Sequence, residues 1–151
     1  MSSTRTQVGI VEWVQRCASA RTIELQLAAK LGSWIPRVQP AAAKLLLARH
    51  ARHHAGHVEL WDAVVPLLHD HAADPRITVP TLSEAQAVLV ATDQPVDVYD
   101  EVDALVVATY RAWSEEATPV AERPVMRVLD LVLRDLDFDA QEGHDLFSAG
   151  R

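Results

Sequence analysis

Little in this chain can form a covalent staple. It has one cysteine, Cys17, which excludes an internal disulfide and a thiolate metal site. Aromatic residues are scarce at 5%, while Ala, Leu and Val dominate. That balance favours close helix packing over a β-sandwich. Basic residues fall short as well: 14 Lys and Arg against 21 Asp and Glu leave a net charge of −7, with the acids concentrated in the second half. A nucleic-acid partner needs a basic face, so none is expected. No stretch of about twenty apolar residues is present, so no transmembrane helix is expected. The opening MSSTRTQVGI does not read as a signal peptide, because Glu12 and Gln15 interrupt its apolar region. Glycine-rich phosphate loops, internal repeats and low-complexity segments are missing too. The expectation is one all-α domain over residues 1–151, soluble and cytoplasmic, with 49% hydrophobic residues to fill its core.

Histidine is what the chain does have. Four of its seven sit between Ala41 and Pro66, at His50, His53, His54 and His57. Residues three and four apart share a helix face. Leu46, His50, His53, His57, Leu60 and Val64 follow that spacing, which predicts an apolar seam with imidazoles in its middle. A seam faces the core, where an imidazole is either costly or useful.

The rest of the chain predicts three more long helices. The first runs from about Gln7 to Trp34, with Ile10, Trp13, Cys17, Ala20, Glu24, Leu27 and Leu31 on one stripe. Gly32 and Pro36 mark its end. The histidine helix comes after a short link and ends near Pro66. A loop-like stretch then leads to a short helix, capped by Thr81 or Ser83 and stopped by Gln94-Pro95. The third long helix starts near Asp97 and runs to about Glu116, with Tyr99, Asp103, Val106, Tyr110 and Trp113 on one stripe. The fourth runs from about Glu122 to Phe147, with Val125, Leu129, Val132, Leu136, Asp139, Gly143 and Leu146 on its stripe, and Asp135 beside it. Two short links pair the helices antiparallel, and the long middle crossover lets helices 2 and 3 run parallel. That is the ferritin-like four-helix arrangement.

Glu24, Asp103, Asp135 and Asp139 then fall near the level of the histidines. Carboxylates with imidazoles are ligand chemistry for iron, manganese or zinc, and bundle interiors are where such sites are built. The candidate ligands are Glu24, His50, His53, His54, His57, Asp103, Asp135 and Asp139. The candidate catalytic groups are His54, His57 and Glu24. The chain resembles the ferritin-like superfamily, and in particular small bacterial members with an RHHxxHxELW-type second helix. Here that motif is Arg52, His53, His54, His57, Glu59, Leu60 and Trp61, with a further likeness in Leu131 to Gly143. The resemblance implies a bundle with a carboxylate-rich metal centre and oxidoreductase chemistry. Glu24 matches the first ligand position and His57 the histidine of the second helix. His54 stands where the pattern has Glu, Asp103 or Glu101 stands for the next Glu, and Leu136 and Asp139 replace the final Glu-x-x-His pair.

Other readings of the same residues stay open. Glu24 has Arg21, Arg49 and Arg52 within conceivable reach as ion-pair partners. Asp135 and Asp139 also read as a solvated face near Arg134. His69, His71 and His144 read as surface or loop residues, Cys17 as a small buried hydrophobe, and Tyr99, Tyr110, Trp61 and Trp113 as core or pocket wall. Three function classes remain: a metal-dependent oxidoreductase acting on a small molecule, a metal-free enzyme or small-molecule binder with a core histidine as general base, and a structural bundle forming a homodimer through exposed apolar stripes.

Overall fold

Apolar residues at alternating three- and four-residue steps give each long segment one stripe to bury, and prolines punctuate the segments. The computed structural model describes residues 8–64, 79–118 and 122–149. Among these, all regular structure is helical, so the class is all-α. The elements are α1 (Ile10–Trp34), α2 (Ala41–Val64), α3 (Pro80–Ala91), α4 (Pro95–Asp97), a π-helical turn (Val98–Val102), α5 (Asp103–Glu116) and α6 (Arg123–Ser148). The α4, π and α5 pieces join end to end into one rod.

The helix ends track proline more closely than side-chain caps. α1 stops two residues before Pro36. α3 opens with Pro80 in its first turn and Val79 as its N-cap; neither Thr81 nor Ser83 caps it, as the sequence had suggested. The rod starts at Pro95, two residues ahead of the expected Asp97, after an extended Gln94. Proline suits that place because its fixed φ is helical and the missing N–H would have had no partner there. α6 begins after Glu122, whose carboxylate accepts the Thr118 N–H at 2.6 Å. Pro66, His69 and His71 lie outside the described residues.

Side-chain pairings fix the directions. Glu24 meets His54 and His57 while Arg21 meets Asp62, so α1 and α2 are antiparallel. His50, His53 and His57 meet Glu142, Asp139 and Asp135, so α2 and α6 are antiparallel. His50 packs on Tyr99 and Trp61 on Tyr110, so α2 and the α5 rod are parallel. α3 packs against both α1 and α5.

One core joins α1, α2, α3, α5 and α6. The stripes read from the sequence on α5 and α6 are buried, from Tyr99 to Trp113 and from Val125 to Gly143. The α1 stripe is buried from Trp13 on, while Ile10 is exposed. The seam on α2 differs from the expected one. The buried residues are Ala43, Leu47, His50, His54, His57, Trp61 and Val64, whereas Leu46, His53 and Leu60 are half-buried flanks. Burying Trp61 instead of Leu60 turns the helix by one position and takes His54 inward in place of His53. No described helix is long and apolar enough to cross a membrane.

A π turn interrupts the rod at Val98–Val102. The Asp103 N–H bonds back to the Val98 carbonyl, five residues earlier. Val98, Tyr99, Val102 and Asp103 are all buried around it.

Candidate metal centre

The polar interior begins at Glu24, which is fully buried on α1. Its Oε2 accepts hydrogen bonds from His54 Nδ1 at 2.6 Å and His57 Nδ1 at 3.0 Å. Its Oε1 accepts the Tyr110 hydroxyl at 2.9 Å. Burial alone would raise the Glu24 pKa, but the two imidazoles overcome it and hold the carboxyl down at about 2. The arginines considered from sequence do not pair with it: Arg21 pairs with Asp62 and Arg49 with Glu142.

The two imidazoles differ in what their far nitrogens meet. His57 Nε2 lies 3.1 Å from Asp135 Oδ2. Burial lowers the His57 pKa, yet Glu24 and Asp135 on either side outweigh that and raise it. His57 thus has a carboxylate at each ring nitrogen. His54 Nε2 is buried without a partner. In the neutral tautomer that donates Nδ1–H to Glu24, Nε2 carries a lone pair facing the interior.

Asp103 faces the same interior from α5. It is 1% exposed, and neither carboxylate oxygen has a hydrogen-bond partner. Burial, with repulsion from Glu24 and Asp139, raises its pKa to about 7 against the pull of His54 and His57. Asp139 on α6 is also buried, so the solvated-face reading fails for it; Asp135 is half-exposed and partly keeps that character.

A second group lies along α2 toward the α6 C-terminal half. His50 Nε2 is 3.1 Å from Glu142 Oε2 and 3.3 Å from Asp139 Oδ1. Only the contact to Glu142 has hydrogen-bond geometry, so Asp139 Oδ1 is left without a bond. His53 Nδ1 meets Asp139 Oδ2 at 2.8 Å, and the Tyr99 hydroxyl meets His50 Nδ1 at 2.9 Å. Tyr99 reaches this position because residue 143 is glycine: a Cβ there would overlap its ring. Burial lowers the His50 pKa despite Asp139 and Glu142. His144 is exposed and pairs with Asp100 at 2.7 Å.

The structure therefore gathers Glu24, His54, His57, Asp103 and Asp135 in one neighbourhood and His50, His53 and Asp139 in the adjoining one. Among the described residues, two sets of side chains are close enough to hold a metal ion: Glu24, His54 and His57, and His50, Asp139 and Glu142. The donor chemistry fits a divalent cation. Unpartnered buried acceptors also point to one, since each such group costs about 1–3 kcal/mol. Sequence reasoning missed Glu142, Tyr99 and Tyr110 as polar participants. Asp139-x-x-Glu142 carried a signal, because residues three apart share a face; the tyrosine hydroxyl directions carried none.

Near its other end the core is aromatic. Trp13, Trp61, Tyr110 and Trp113 pack with centroids 5.4 to 6.5 Å apart, and Arg16 lies over Trp13 and Trp113. Cys17 is buried there, its thiol pushed up to about 12 by burial. Compared with protein-family models, curated proteins and solved structures, the chain matches none significantly.

Proposed function

We propose that this chain is a ferritin-like four-helix bundle protein that holds iron in its core and serves as an oxidoreductase on a small molecule. Two antiparallel helix pairs, with α2 and α5 parallel and α3 in the stretch between them, support the bundle reading. The observation that carries the metal reading is the buried, unpartnered set beside Glu24: His54 Nε2 and both oxygens of Asp103. Glu24, His54 and His57 are close enough together to share a cation, and the Asp103 carboxyl lies within electrostatic reach of all three. Glu24, His54, His57 and Asp103 would hold it, and iron would supply the redox chemistry. Tyr110 and Asp135 would orient Glu24 and His57 from behind, as outer partners of metal ligands do. We assign the protein to the cytoplasm, where the lone thiol of Cys17 stays reduced.

The test is elemental analysis of the purified chain. Near-stoichiometric iron, lost in His54→Ala and in Asp103→Ala, is the expected result. Manganese or zinc in the same stoichiometry would change the metal and remove the redox chemistry in the zinc case. Metal-free protein that takes up none on reconstitution would sink the metal reading.

One observation favours a second reading. The 2.6 Å contact from Glu24 to His54 Nδ1 orients an imidazole whose Nε2 lone pair is free. That is how a carboxylate prepares a general base without any metal. A small-molecule ligand bound by metal-free protein and lost in His54→Ala would select this reading.

A further inference from the structure

The centre proposed above does not use His50, Asp139 and Glu142, yet these are assembled with equal care. One ligand atom from each lies within 4.8 Å of the others. His50 comes from the buried seam of α2. Asp139 and Glu142 come from α6, three residues apart and so on one face. Two of the three are held from behind, His50 Nδ1 by the Tyr99 hydroxyl at 2.9 Å and Asp139 Oδ2 by His53 at 2.8 Å, while Glu142 Oε2 is shared between His50 and Arg49. Asp139 Oδ1 is buried and has no hydrogen bond. It faces His50 Nε2 at 3.3 Å.

The surroundings differ from those of the inner cluster in one respect. Glu24, His54 and His57 are all sealed, with side chains at most 2% exposed. Here Glu142 is 30% exposed and His53 31%. A hydrated ion can reach this group from solvent without opening the core.

We propose that His50, Asp139 and Glu142 form a second divalent-cation site that loads independently of the inner cluster and exchanges faster. One imidazole nitrogen and two carboxylates suit manganese, iron(II) or zinc. A bound cation gives the orphaned Asp139 oxygen its partner. It takes the Nε2 lone pair of His50, whose proton then sits on Nδ1, where the Tyr99 oxygen accepts it. The outer carboxylate would exchange its Arg49 contact for the ion. This assignment stands whether or not the inner cluster holds iron.

The probe is Mn2+ alone, titrated into full-length protein stripped by a chelator, with the free-ion electron paramagnetic resonance signal reporting binding. Glu142→Gln is the test variant, because a partly exposed side chain tolerates it without loss of fold, checked by circular dichroism. The expected result is a binding event weakened at least tenfold in Glu142→Gln and retained in His54→Ala. If the inner reading also holds, the wild type binds two ions and each variant removes a different one. If the inner reading fails, the wild type binds one ion, and only Glu142→Gln removes it. Unchanged stoichiometry and affinity in Glu142→Gln, or no Mn2+ and no Zn2+ bound by the wild type at millimolar concentration, would overturn the proposal.

Discussion

The two ends of the core are made by the same seam of α2 and could hardly be more different. Toward Trp61 the seam meets Trp13, Tyr110 and Trp113, and packing alone accounts for the contacts. Toward His50 it meets Tyr99, Asp103, Asp139 and Glu142, and several buried acceptors go without donors. The aromatic end has orphans as well, the indole N–H groups of Trp13 and Trp61 and one Arg16 nitrogen. Those are neutral groups or a cation lying against rings, which cost less than an unpartnered carboxylate. A domain is stable by only about 5–15 kcal/mol. The aromatic end contributes to that margin, and the unpartnered acceptors of the polar end draw on it.

The contrast breaks first at its strongest points. Trp61→Ala and Glu24→Ala should each destabilise the metal-free protein by about 3–5 kcal/mol in urea unfolding, one by opening a cavity and the other by stranding His54, His57 and Tyr110. Only the Glu24 variant should also change metal uptake; if Trp61→Ala does so equally, the two ends are not separable.

Asp103→Leu should act in the opposite sense, stabilising metal-free protein by about 1–3 kcal/mol while weakening metal binding. A loss of stability would mean that the Asp103 carboxyl is satisfied within the metal-free core. The same carboxyl gives a pH test. Its pKa is near 7 when folded against 3.8 as a free group, so the folded state holds the extra proton. Its contribution is therefore present below about 4 and lost as pH rises through 7. Glu24 works the other way, with its folded pKa near 2 against 4.5: its contribution is present above 4.5 and lost as pH falls toward 2. Metal-free wild type should thus lose stability between pH 4 and 7, and Asp103→Leu should flatten that slope.

Gly143→Ala should cost about 1–3 kcal/mol, because the new methyl displaces Tyr99 and with it the hydrogen bond to His50. Weaker Mn2+ binding should accompany it. At the small end, Arg111→Ala removes an exposed pair with Asp137 and should change stability by less than about 1 kcal/mol. A larger effect there would show that surface charge, not the core, dominates this fold.

The stripes of α5 and α6 were legible because their apolar residues leave one workable face. The seam of α2 was not, because two ladders one residue apart both fit a helix carrying His50, His53, His54 and His57. Only the bulk of Trp61, seeking the aromatic end, decides between them. Glu24 and Asp139 could be named from sequence as acids on apolar stripes. Their partners could not, since an arginine close along the chain competes on paper with a histidine on another helix. Glu142 escaped notice because the Glu-x-x-His spacing was set on Leu136 and Asp139, one turn before the Asp139 and Glu142 pair that meets His50.

The π turn at Val98–Val102 has a genealogical side. A π turn is an α-helix carrying one residue too many, accommodated locally. Deleting one residue within it would restore an unbroken α-helix, leave α5 and the aromatic end in register, and rotate Tyr99 away from His50. The Tyr99 contact to His50 could therefore be gained or lost through a single codon, with the aromatic end left as it was.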